Sequence, residues 1–181
     1  MVATVGFVFA MGKLYERIDE RLAEWLRAQP LFFVGTAPLS GGHVNVSPKG
    51  PIESFQIVDE HTVEYEDHVG SGAETAAHIR ENGRVCIMFC AFSGPPRIVR
   101  LHGRGEVIPS ADPGRDGVRG VVRVRLDRIS DSCGYGVPLM ELVGTRPQRD
   151  LWLERKGPQG LRDYVREENA VSIDGLPALI D

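Results

Sequence analysis

Four stretches decide how this chain folds: YEDHVGSG at 65–72, ETAAHIRENGR at 74–84, VCIMF at 85–89 and RIVRLHGRGEV at 97–107. Thr62, Val63, Glu64 and Tyr65 alternate in character, which predicts a strand over 61–66. Gly70-Ser71-Gly72 breaks it, and a short helix is expected over 73–82, ended by Gly83. Residues 84–92 are almost continuously apolar, the signature of a central strand. Ser93-Gly94-Pro95-Pro96 turns the chain, and 97–108 returns as a long strand. Gly103 and Gly105 lie inside that strand, where glycine marks a bulge or a barrel bend.

Upstream, Leu14, Ile18, Leu22 and Trp25/Leu26 recur at helical spacing, predicting an amphipathic helix over 12–29 stopped by Pro30. A buried strand is expected over 31–37, a turn over 38–42 with Ser40-Gly41-Gly42 at its tip, and a returning strand over 43–47. Downstream, 109–117 reads as a loop, and 119–129 alternates with Val122, Val124 and Leu126 on one face. Residues 133–138 (CGYGVP) are too glycine-rich for regular structure, whereas 147–156 and 161–168 look helical and the tail from Asn169 extended. Six or so short strands with one interposed helix give a mainly β, α+β chain, a small antiparallel barrel with helices packed outside. The expected organisation is a disordered leader over 1–11, the barrel over 12–140, and a helical extension over 141–181 packing on the barrel or on a dimer partner.

The 181 residues suit one domain, and 42% hydrophobic with 25% charged residues is ordinary for a globular core. A formal charge of -4 argues against a general nucleic-acid partner. Locally, 97–128 carries eight arginines against four acids, which is either a set of solvated strand faces or an anion-binding or interface surface. Cys86, Cys90 and Cys133 are few and odd in number, the pattern of a reducing, cytoplasmic setting. Cys86 and Cys90 stand four strand residues apart, roughly 13 Å, beyond the ~7 Å limit of a disulfide. No apolar run approaches the roughly 20 residues of a membrane helix. The apolar opening 1–10 lacks the basic start of a signal peptide, and Met11 would serve as a natural beginning.

Self-contained catalytic motifs are missing. Gly103-x-Gly105 lacks the third glycine of a dinucleotide fingerprint. Gly70-Ser71-Gly72 is not spaced as a nucleophile elbow. His43, His61, His68, His78 and His102 show no metal-ligand spacing, so no metal is expected. Two places suit an anion. One is Asn45-Val46-Ser47-Pro48-Lys49, a strand ending in a hydroxyl and a lysine; the other is Gly70-Ser71-Gly72-Ala73-Glu74-Thr75, a glycine-rich helix entry offering free N–H groups. The plainer alternatives are that Ser71 caps the helix and Lys49 is a surface charge.

Together these stretches resemble the pyridoxamine 5'-phosphate oxidase-like flavoprotein superfamily. The order hairpin, strand ending in lysine, Gly-Ser, helix, His, Glu-Asn, x-Arg and apolar strand carries the likeness, and DSCGYGVPLM at 131–140 is similar to one branch of it. The resemblance implies a split barrel that binds FMN across a homodimer interface. Asn45, Val46 and Ser47 would flank the flavin ring, and Lys49 would reach the phosphate or ribityl chain. Asp67, Ser71 and Thr75 would line the loop, Arg97 would touch the flavin, and Tyr135 would contribute cover from the dimer surface. The oxidase carries an Arg-Lys pair directly after its Gly-Ser. Here Gly72-Ala73-Glu74-Thr75 stands instead, so hydroxyls, helix N–H groups, Lys49 and an arginine of the basic patch are expected to hold the phosphate. The oxidase's substrate-binding Arg-x-His has no counterpart, so pyridoxamine phosphate is not the expected substrate. The implied activity is that of an FMN-dependent oxidoreductase on an unidentified small molecule. Deazaflavin-dependent reduction, haem handling and non-catalytic flavin binding are the alternatives.

Overall fold

A computed structural model describes residues 12–179, so the leader expected over 1–11 lies outside the described residues. The elements are β1 (Leu14–Tyr15), α1 (Glu20–Arg27), β2 (Phe32–Thr36), β3 (Asn45–Lys49), β4 (Phe55–Asp59), β5 (Thr62–His68), α2 (Glu74–Asn82), β6 (Arg84–Cys90), β7 (Ile98–Pro109), α3 (Pro113–Asp116), β8 (Val118–Ser132) and α4 (Gln148–Glu168). The strands form one eight-stranded sheet in the order β3-β2-β6-β7-β8-β5-β4, with β1 paired to β8, and every pairing is antiparallel. No described helix is long and apolar enough to cross a membrane.

The sheet curls until its two ends share one core. Phe32 of β2 meets Phe55 of β4 and Tyr65 of β5, each at 5.4 Å between ring centroids, and Phe55 meets Phe89 of β6 at 5.1 Å. β2 and β5 are four steps apart along the sheet, so these contacts require closure, which the twist of the strands permits. β3 and β4 share no ladder, and the barrel is split between them. Both glycines of β7 have steric causes. A Cβ on Gly103 would stand 2.1 Å from the Arg125 carbonyl oxygen, at the bulge where β7 and β8 lose register. One on Gly105 would press on Ile79 of α2 at 3.0 Å.

Two expectations need correction, and one strand is added. The helix predicted over 12–29 begins only at Glu20, because the Asp19 carboxylate accepts from Leu22 N at 2.8 Å and caps it there. Leu14 and Tyr15 instead pair with Ser130 and Ile129, and Ile18 is buried without being helical. The loop expected over 109–117 contains α3, started by Asp112 as cap and Pro113 in its first turn. β4 went unmarked, since an edge strand with only Phe55 buried shows little alternation.

The 133–147 segment has no helix or strand and exposes Leu139, Met140, Leu142 and Val143. α4 bends at Gly157 and then lays Leu161 and Val165 against Val69. The tail doubles back through a Val171–Pro177 bridge, bringing Ala178 onto Ala73, Ala76 and Ala77 at α2.

Candidate functional site

The alternation of β3 decides which of its residues reach the split. Asn45, Ser47 and Lys49 are half-buried on one face; Val46 and Pro48 are exposed on the other. The half-buried face looks across the split toward the end of β5, the Gly70–Gly72 loop and the start of α2. There a cavity of about 270 Å³ is lined by Ser47, Lys49, His68, Ser71, Thr75 and Arg119, and by Glu74.

A buried carboxylate organises the cations. Asp67 is 1% exposed. Lys49 Nζ donates to its Oδ1 at 3.2 Å, and Arg119 donates Nε to Oδ2 at 3.0 Å and Nη2 to Oδ1 at 3.2 Å. Burial pushes the Asp67 carboxyl up, but the Arg119 and Lys49 charges together hold it below the usual carboxylate range. Arg119 also donates Nη1 to the Gly72 carbonyl at 2.8 Å, tying β8 to the loop. Two cations share one acid, so the trio retains one positive charge beside the cavity.

The hydroxyls are held by a second network. Asn45 Nδ2 donates to Thr36 Oγ1 at 3.1 Å and to Thr75 Oγ1 at 2.9 Å, while Ser47 Oγ donates to Asn45 Oδ1 at 2.9 Å. Thr36 Oγ1 lies 3.0 Å from Nδ1 of the fully buried His78. These bonds fix the Asn45 amide between β2 and α2. Ser71 is exposed in the loop, and the residue before α2 is Ala73, which makes no side-chain cap; Ser71 is therefore not the helix cap.

His68 is neutral near neutral pH. Arg149 Nη2 donates to its Nδ1 at 2.8 Å, and a guanidinium only donates, so the ring proton sits on Nε2. Burial, then the Arg149 charge, pushes His68 down to about 4.

Seven of the nine candidate residues thus share β3, β5 and the α2 entry, although the Val46 side chain points away. Arg97 does not join them. It stands at the start of β7, three strands from β3, and donates Nη2 to Tyr15 Oη at 2.6 Å and Nε to Asp131 at 3.3 Å. Its guanidinium lies 4.7 Å from the Trp25 ring, in the wall of a separate cavity of about 790 Å³. Tyr135 follows the Gly134 turn that packs on the Arg97 backbone, and it is 61% exposed. Among the described residues, no group of three or more His, Cys, Asp or Glu is placed to hold a metal.

Arg119 was legible only as one of eight arginines in the basic stretch. Asp67 pairs with Gly120 and His68 with Val118, and the irregularity between them directs Arg119 inward. Thr36 and Arg149 carry no local motif and are joined to the site only by tertiary packing, whereas His78 belongs to the 74–84 stretch but was not marked as a site residue.

The family model described as Pyridoxamine 5'-phosphate oxidase matches residues 18–133. A pyridoxamine 5'-phosphate oxidase family protein of Aspergillus flavus, ustO, is 41% identical over 195 aligned positions, covering 93% of this chain and 78% of that protein. Among solved structures, HupZ of Group A Streptococcus superimposes with a TM-score of 0.50 at 22% identity, over 62% of this chain and 91% of HupZ. That likeness supports the split-barrel fold. The sequence matches go further, and the chain belongs to the pyridoxamine 5'-phosphate oxidase family.

Proposed function

We propose that the protein binds FMN, with the phosphate and ribityl chain in the β3–α2 cleft, and acts as a flavin-dependent oxidoreductase on a small molecule. The observation that carries this reading is the Lys49–Asp67–Arg119 trio, whose surplus positive charge faces a cavity edged by Ser47, Ser71 and Thr75 hydroxyls. Charge-assisted bonds from lysine and arginine, with hydroxyl donors, are the usual means of holding a phosphate group. Arg119 takes the part of the missing Arg-Lys pair. Asn45, Val46 and Ser47 would flank the ring, and the flavin would supply hydride and electron transfer. The protein's own share is orientation and exclusion of water.

A second copy of the chain is part of the proposal. About 270 Å³ is less than the ~300–1,000 Å³ of sites that enclose a drug-sized ligand. The exposed outer face of β3 and the apolar 133–147 segment, with Tyr135, need cover that two-fold pairing supplies. One experiment tests both parts: gel filtration with in-line light scattering and absorbance, followed by chromatography of the heat-released cofactor. The expected result is a flavin-coloured species near twice 19.9 kDa that releases FMN. A monomer that retains flavin would remove the partner from the site. FAD, a deazaflavin, haem, or failure to take up FMN would overturn the cofactor.

A further inference from the structure

The β3–α2 cleft has a charge balance that its cations alone do not show. Lys49 and Arg119 contribute two positive charges, and the buried Asp67 cancels one. His68 contributes none near neutral pH, and its two charged neighbours, Arg149 and Glu66, offset each other. Glu74, in the first turn of α2, borders the same cavity and offsets the remaining charge. It is not free to swing aside without loss. Its Oε1 accepts from the Ile173 N–H of the tail at 3.2 Å, and its Oε2 lies over Gly72, 2.7 Å from where a Cβ would stand. A glycine at 72 therefore leaves room for the carboxylate, and the tail holds it in place.

We infer that Glu74 is a specificity-determining residue that sets the charge of the ligand the cleft accepts. This inference rests on the flavin reading above. A phosphate carries nearly two negative charges at neutral pH, whereas the cleft offers a net charge near zero, so Glu74 opposes the second charge. Its partial burial limits screening, and a like charge lining the same cavity disfavours binding of an anion. The phosphate then contributes little net affinity, and the protein distinguishes FMN only weakly from riboflavin.

The test is titration of the intact protein with FMN and with riboflavin at one fixed salt concentration. For the unmodified protein, the preference for FMN over riboflavin should be below about tenfold. Glu74→Gln keeps an oxygen for Ile173 N and removes the charge. FMN affinity should rise on the order of tenfold, with riboflavin affinity unchanged. Glu74→Ala, which also loses the tail bond, should raise the FMN-to-riboflavin ratio in the same direction. A merely structural role for Glu74 would move both ligands together. An unmodified protein that prefers FMN by a hundredfold or more, or a ratio unchanged in both variants, would overturn the inference. If Lys49→Ala lowers FMN affinity while Glu74→Gln leaves the ratio unchanged, the cleft still holds the phosphate and only the discriminating role falls. If Lys49→Ala has no effect, the flavin reading itself fails.

Discussion

Two of the places where this barrel pairs arginine with carboxylate differ in what remains over. At the start of β7, Arg97 meets Asp131, the Tyr15 hydroxyl and the Trp25 face, so one cation is matched by one acid and enclosed by aromatics. At the end of β3, Asp67 faces both Lys49 and Arg119, and its trio keeps a positive charge beside hydroxyls, with Glu74 of α2 as the second acid of the cleft. The cavity beside Arg97 is nearly three times larger, about 790 against 270 Å³, yet its arginine is fully engaged within its own wall. The lesson is that volume alone does not mark a binding site; cations and hydroxyl donors gathered around one cleft do.

The largest effect expected from this contrast is on stability. Arg119→Met leaves Asp67, whose side chain is 2% exposed, with Lys49 as its remaining cation. Removing one partner of a buried ion pair costs about 3–5 kcal/mol, and the remaining lysine places this case toward the lower end. Chemical denaturation should show it, and a loss below about 1 kcal/mol would mean the trio is not a buried unit.

The barrel was legible in the sequence because its signals are local. The 84–92 run gave β6, the alternation of Val122, Val124 and Leu126 gave the core face of β8, and Gly103 and Gly105 marked the irregular β7. Gly83 ends α2 in the left-handed conformation, as its position suggested. The start of α1 was misread because Leu14 and Ile18 continue the helical spacing by coincidence while Asp19 stops it. The cleft was half legible. Asn45, Ser47, Lys49, Ser71 and Thr75 sit in short motifs, but the partners of Asp67 and His68 come from β8 and α4, 52 and 81 positions away. Nothing in the local pattern selects Arg119 from its neighbours.

A smaller effect concerns pH. His68 is pushed down to about 4 from an ordinary 6.5, so between these values the unfolded chain binds a proton that the folded one refuses. Stability should therefore fall as pH drops from about 6.5 to 4. His68→Gln should flatten that part of the profile in a pH series of denaturation midpoints. An unchanged slope would place His68 in a solvated setting.

The smallest effect is expected at the other arginine. Arg97→Gln should cost about 1 kcal/mol of stability, since its ion pair is partly exposed, and should change FMN affinity by less than about threefold. A larger loss of FMN affinity would join the two regions in one site, as the resemblance to the oxidase first suggested for Arg97.

Lys49→Ala tests the central claim most directly, read by parallel titration with FMN and riboflavin. A charge-assisted hydrogen bond contributes about 1.5–3 kcal/mol, so FMN should bind roughly tenfold to a hundredfold more weakly. Riboflavin, which lacks the phosphate, should bind as before, and the stability lost should be smaller than for Arg119→Met, because Arg119 still makes two bonds to Asp67. FMN affinity equal to that of the unmodified protein would contradict the account, returning Lys49 to a structural partner of Asp67.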